Sequence, residues 1–78
     1  MYRFFLYFLV RTNAEQAAEM LRREDYEVWQ IQPGWDDPFS RLEVRRRLAA
    51  ANLAAAVEHL RATASRFHGE YSDCELCA

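Results

Sequence analysis

A chain of 78 residues with a formal charge of −2 and an isoelectric point near 5.6 makes one domain with one thin core, too small for a deep catalytic cleft. Hydrophobic residues make up 51% of it and glycine and proline occur only twice each, which excludes a disordered chain. The acidic balance gives no overall pull on polyphosphate and counts against a sequence-independent nucleic-acid binder.

All ten basic side chains are arginine. Arginine suits forked and stacked contacts at protein interfaces, although high-GC codon usage, which the many alanines also fit, accounts for the bias as simply. The apolar run Phe4 to Val10 is too short to span a bilayer and lacks a cleavage site, so it is expected to be a buried strand of a cytoplasmic protein that uses no membrane.

Tyr2 to Arg11 is dense in aromatic and β-favouring residues and ends at Thr12-Asn13, which predicts a first strand stopping at a helix cap. One of its faces carries Phe4, Leu6, Phe8 and Val10; the other carries Arg3, Phe5, Tyr7, Leu9 and Arg11. Asn13 and Gln16 have capping-box spacing. A helix from there to about Glu24 puts Ala14, Ala17, Ala18 and Leu21 on one stripe, with Glu15, Glu19, Arg22 and Arg23 outside. Tyr26 to Gln32 alternates, with Tyr26 and Val28 on one face and Trp29 and Ile31 on the other, and Pro33-Gly34 stops it.

Ser40 to Phe67 would pass for one long helix if its apolar residues agreed in phase. Leu53, Val57, Leu60, Ala64 and Phe67 share a stripe at 100° per residue, and Val44 and Leu48 point well away from it. Leu42, Val44 and Leu48 share a face at period two instead. The expectation is therefore a third strand from about Arg41 to Leu48, then a helix from Leu53 to Phe67 capped by Asn52. Gly69 ends that helix and Glu70 to Leu76 forms the last strand. The order βαββαβ predicts an α+β, ferredoxin-like domain over residues 1–78, a four-stranded antiparallel sheet with both helices on one face.

The closing run Gly69-Glu70-Tyr71-Ser72-Asp73-Cys74-Glu75 resembles the motif Gly-Glu-Tyr-Asp-Gly-Trp-Glu that closes the regulator of ribonuclease activity B family, protein inhibitors of ribonuclease E. Asp25-Tyr26-Glu27-Val28 is similar to that family's Gly-Tyr-Glu-Val opening of the second strand, and the Ala- and Glu-rich first helix fits as well. Ser72, Asp73 and Cys74 replace the middle of the motif, and its tryptophan is lost. The resemblance implies a small soluble regulator that binds a larger enzyme or nucleoprotein assembly and needs no cofactor.

A sheet covered on one side leaves the other side open. If Tyr26 and Val28 face the helices, then Phe5, Tyr7, Leu9, Trp29 and Ile31 lie on the open face with Tyr71, rimmed by Arg3, Arg11, Arg45 and Arg47. Trp, Tyr and Arg dominate interface hot spots, and a patch of this size marks an interface. Either a second copy of the chain or a different protein would cover it. The opposite assignment, with Phe4, Leu6 and Phe8 outside, changes the residues and leaves the mechanism as binding.

Other constellations carry less. Trp35-Asp36-Asp37-Pro38-Phe39 reads as ordinary turn chemistry between strands, and Arg45-Arg46-Arg47 splits between the faces of a strand. The third strand lacks the aromatics with which an RNA-recognition sheet stacks bases, which ranks RNA behind a protein partner. Cys74-x-x-Cys77 has zinc-knuckle or redox spacing, yet His59 and His68 offer no matching ligand pair and the motif does not open a helix. Neither histidine has a nucleophile or acid placed beside it by the pattern, and no glycine-rich phosphate loop exists. The sequence thus predicts a non-enzymatic binding protein without metal.

Overall fold

The computed structural model describes residues 1–33 and 40–76, with residues 30–33 described in backbone alone. The chain runs β1 (Tyr2–Phe8), α1 (Arg11–Arg23), β2 (Glu27–Pro33), β3 (Ser40–Arg46), a short 3-10 turn (Ala50–Asn52), α2 (Leu53–Arg66) and β4 (Gly69–Leu76). Three antiparallel pairings join the strands in the order β2-β3-β1-β4. This is the expected ferredoxin-like α+β arrangement.

Alternation along β1 decides which side is covered. Phe4, Leu6 and Phe8 are fully buried beneath the helices, together with Leu42 and Val44 of β3. Ala14, Ala17, Ala18 and Leu21 bring α1 down onto that side, and Ala56, Leu60 and Ala64 bring α2. Burying a large apolar side chain contributes about 1.5–3 kcal/mol, and the alanines let the helix axes approach closely enough to seal the phenylalanines. Tyr26 closes one end of this layer, edge-on to Phe4 at 6.3 Å between ring centroids. The assignment that placed Phe4, Leu6 and Phe8 outside is thereby excluded.

Element boundaries differ from expectation in ways that have causes. β1 stops at Phe8 and not at Arg11, because its pairings with both β3 and β4 end there, at Ser40 and Gly69. The helix then starts two residues before Asn13. Val10 is the N-cap, its carbonyl accepts from the amides of Asn13 and Ala14 at 3.0 and 3.2 Å, and no side-chain cap forms. Asn52 does precede α2, but its side chain makes no capping bond.

At the C-terminus of α1 the Tyr26 amide donates to the Leu21 carbonyl at 3.0 Å and the Asp25 amide to Arg22 at 3.3 Å, a Schellman closure. It requires Asp25 in the left-handed region, at φ 69°. His68 (φ 61°) plays the same part after α2, where glycine had been expected to stop the helix. Gly69 serves a different purpose: a Cβ there would lie 2.6 Å from the Tyr7 carbonyl oxygen and as close to the edge of the Phe8 ring, so the close approach of β4 to β1 needs a residue without one.

The Trp35 to Phe39 connection and Cys77 lie outside the described residues, as does the Gly34 half of the Pro33-Gly34 stop. No helix among the described residues is long and apolar enough to cross a membrane.

Candidate functional site

The side of the sheet away from the helices is built from three columns of side chains fixed by register. Arg3, Phe5 and Tyr7 of β1 form the centre; Arg45, Glu43 and Arg41 of β3 lie opposite them in that order. On the other flank stand Glu75, Asp73 and Glu70 of β4. Glu27 of β2 pairs in turn with Arg45.

This face is more charged than the sequence led us to expect. Phe5 is only 8% exposed, because the Arg3 and Arg41 guanidiniums lie over its ring at 5.6 and 5.0 Å. Arg3 is ion-paired to Glu75 across β1 and β4. Glu43 is only 5% exposed, and Arg45 satisfies it by donating from both Nε and Nη2 to its Oε2 at 3.1 and 3.0 Å. Held this way, the Arg45 guanidinium lies 3.6 Å from the centroid of the Trp29 ring. Trp29 itself is 54% exposed, and its indole N–H donates to Glu27 at 3.3 Å. The result is one large aromatic surface, backed by a guanidinium that a buried carboxylate holds in place and presented toward solvent.

Trp29 owes its position to a bulge. Val28 pairs with Val44 and Gln30 with Glu43, so Trp29 is the extra residue on β2. The shift also breaks the expected alternation beyond it: Ile31 pairs with the core residue Leu42, and its side chain lies outside the description.

The other expected site residues scatter. Tyr7 remains on the uncovered face, half-buried, with Ser72 and Glu70 beside a shallow hollow. Tyr71 is a correction: in regular register from Gly69 it pairs with Leu6, on the helix side, where it packs against the core under Arg61 of α2, and a second bulge follows at Ser72. Burial first, then a hydrogen bond with Cys74 and the charges of Cys74 and Asp73, push the Tyr71 hydroxyl well above its usual range, against the opposing pull of Arg61. Leu9 is no strand residue; it stands 55% exposed in the turn after β1. Arg11 belongs to the first turn of α1, where it pairs with Glu15, and Arg47 lies beyond the end of β3. Neither rims the face as expected.

Glu43 and Arg41 were missed as site members, although they alternate with the inward Leu42 and Val44 and were readable from that. Across the described part of the face three arginines meet five carboxylates, a mixture that suits a protein surface and repels polyphosphate. Among the described residues no group of three or more His, Cys, Asp and Glu is placed to hold a metal ion.

Comparison with known proteins adds a decisive observation. The family model for regulator of ribonuclease activity B matches residues 1–73 of the 78. The chain belongs to that family. No curated protein and no solved structure matches it. Membership in a family of ribonuclease regulators agrees with the resemblance carried by Gly69-Glu70-Tyr71 and by the second-strand opening. Geometry also explains part of that resemblance. Asp25 occupies the left-handed position where the similar family run has glycine, and Gly69 is the residue that the β1–β4 contact cannot replace.

Proposed function

We propose that this protein regulates a ribonuclease, alone or within a nucleoprotein assembly, by occupying part of its surface without catalysing a reaction. The docking surface is the uncovered sheet face, with Trp29 as the desolvated anchor and Arg45, Arg41 and Tyr7 as its surroundings. One observation carries the reading: Trp29 is half exposed while the residues around it are ordered by ion pairs and stacking. A folded domain gains nothing in its own core from presenting an indole in this way. A partner pocket that buried the indole would gain both its apolar area and the guanidinium already stacked on it, with little ordering cost left to meet.

Phe5 acts from below. It supports Arg3 and Arg41 and is not itself a contact. Leu9 stands at one end of the sheet and extends the surface only for a large partner, while Arg47, beyond the other end, takes no part in it. The balance of charge on the face favours a protein target over RNA, and a second copy of the chain is the competing occupant.

The test is inhibition of purified ribonuclease E-type activity by the wild-type protein beside Trp29→Ala. The variant should fold normally and lose about thirtyfold or more in affinity, the effect of removing a hot spot of ~2 kcal/mol. Equal inhibition by both proteins would remove Trp29 from the interface, and self-association that Trp29→Ala abolishes, without any effect on the nuclease, would assign the face to a homodimer.

A further inference from the structure

The end of the sheet where β1 begins holds a crevice that the docking face does not use. Its volume is about 420 Å³, and Tyr26, Arg46, Arg47, Asn52 and His59 supply its polar wall. These residues converge because β3 ends, β2 begins and α2 begins at the same end of the molecule.

Several features leave positive or donor character there without a partner. Arg46 lies over the Tyr26 ring at 4.9 Å, and neither it nor Arg47 has a carboxylate partner among the described residues. The 3-10 turn Ala50–Asn52 runs straight into α2, and neither carries an acidic side chain or a side-chain cap, so the positive end of the combined helix at Ala50 is uncompensated at the edge of the crevice. The deciding feature is the Tyr26 hydroxyl. Tyr26 is only 3% exposed, its hydroxyl has no hydrogen-bond partner among the described residues, and the residue lines the crevice. A buried hydroxyl is ordinarily satisfied, so this one points to an absent hydrogen-bond partner, an acceptor where its proton is free. His59 Nε2 pairs with Glu24 Oε2 at 3.0 Å; Glu24 is not part of the crevice wall, although its other carboxylate oxygen is also buried without a partner among the described residues.

We infer that this crevice binds a phosphate monoester. The phosphoryl oxygens would accept from the Arg46 and Arg47 guanidiniums, the Tyr26 hydroxyl and the Asn52 side-chain amide. The crevice is larger than phosphate alone, and Leu48, Ala55 and Ala56 give it an apolar wall for the organic part of the molecule. The site is independent of the docking face, since Trp29 takes no part in it.

The experiment is an NMR titration of the isotope-labelled full chain with inorganic phosphate, adenosine 5′-monophosphate and adenosine at constant ionic strength. Saturable shifts should centre on the amides of residues 46–48 and 52–56, with the monophosphate tighter than inorganic phosphate and adenosine inert. Tyr26→Phe, which keeps the ring and its packing, and Arg47→Ala, at an exposed position, should each weaken binding about tenfold, the worth of one hydrogen bond to a charged group. Non-saturating shifts, or equal affinity in all three proteins, would overturn the assignment.

Discussion

Replacing Arg45 by methionine isolates the device that presents Trp29. The change strips Glu43, 5% exposed, of two charge-assisted hydrogen bonds of 3.0 and 3.1 Å, and removes the group stacked 3.6 Å over Trp29. Hydrogen bonds to a charged group are worth about 1.5–3 kcal/mol net, and a cation over an exposed indole about 0.5–1 kcal/mol. Orphaning a deeply buried charge would cost about 3–5 kcal/mol, but the Arg45 side chain is itself partly open to solvent, so water can enter and rehydrate Glu43. The expected loss is therefore ~2–3 kcal/mol. For a domain of this size that lowers the melting temperature by roughly 8–24 °C. Urea unfolding of Arg45→Met, Glu43→Leu and the double variant gives the coupling directly. The double variant should recover most of the loss, because it leaves no buried charge and sets an aliphatic side chain beside Phe5. A single variant within 0.5 kcal/mol of wild type, or two effects that simply add, would refute the reasoning.

Three further outcomes follow from the packing and the backbone. Gly69→Ala forces a Cβ against the Tyr7 carbonyl and the Phe8 ring and should cost about 1–3 kcal/mol in urea unfolding. Asp25→Gly should leave stability within about 0.5 kcal/mol of wild type, whereas Asp25→Val should lose ~1–2 kcal/mol, since a β-branched residue resists the left-handed region. Tyr71 has a hydroxyl pKa raised above its ordinary value of 10.0 in the folded chain. The folded state therefore holds that proton more tightly than the unfolded state, a stabilisation fully present below pH 10 and lost as pH rises beyond it. The urea midpoint should fall above pH 10, and Tyr71→Phe should flatten that decline.

What could be read from the residues was what depends on a single segment. The disagreement in phase between Val44 and Leu53 separated β3 from α2, and the alternation of Phe4, Leu6 and Phe8 followed the covered face along β1. What depends on two segments was not readable. The bulges at Trp29 and Ser72 arise only when β2 meets β3 and β4 meets β1, and each reverses the parity of every residue beyond it. That is why Ile31, expected beside Trp29 on the uncovered side, pairs with the core residue Leu42 instead. The start of α1 was misjudged for a similar reason, since Phe8 ends β1 through its partners and not through its own sequence. The uncovered face was expected to be apolar because Phe5 and Tyr7 are aromatic; that Arg41 of β3 would join Arg3 of the same strand over Phe5 was fixed by cross-strand register.

The most direct measurement is a map of the protein's backbone amide shifts on addition of the purified ribonuclease or its regulatory segment. Changes should cluster at residues 27–29, 41–45 and 5–7, and should leave the outer surfaces of α1 and α2 unmoved. Changes confined to the helices, with residues 27–29 silent, would contradict docking through the uncovered side of the sheet.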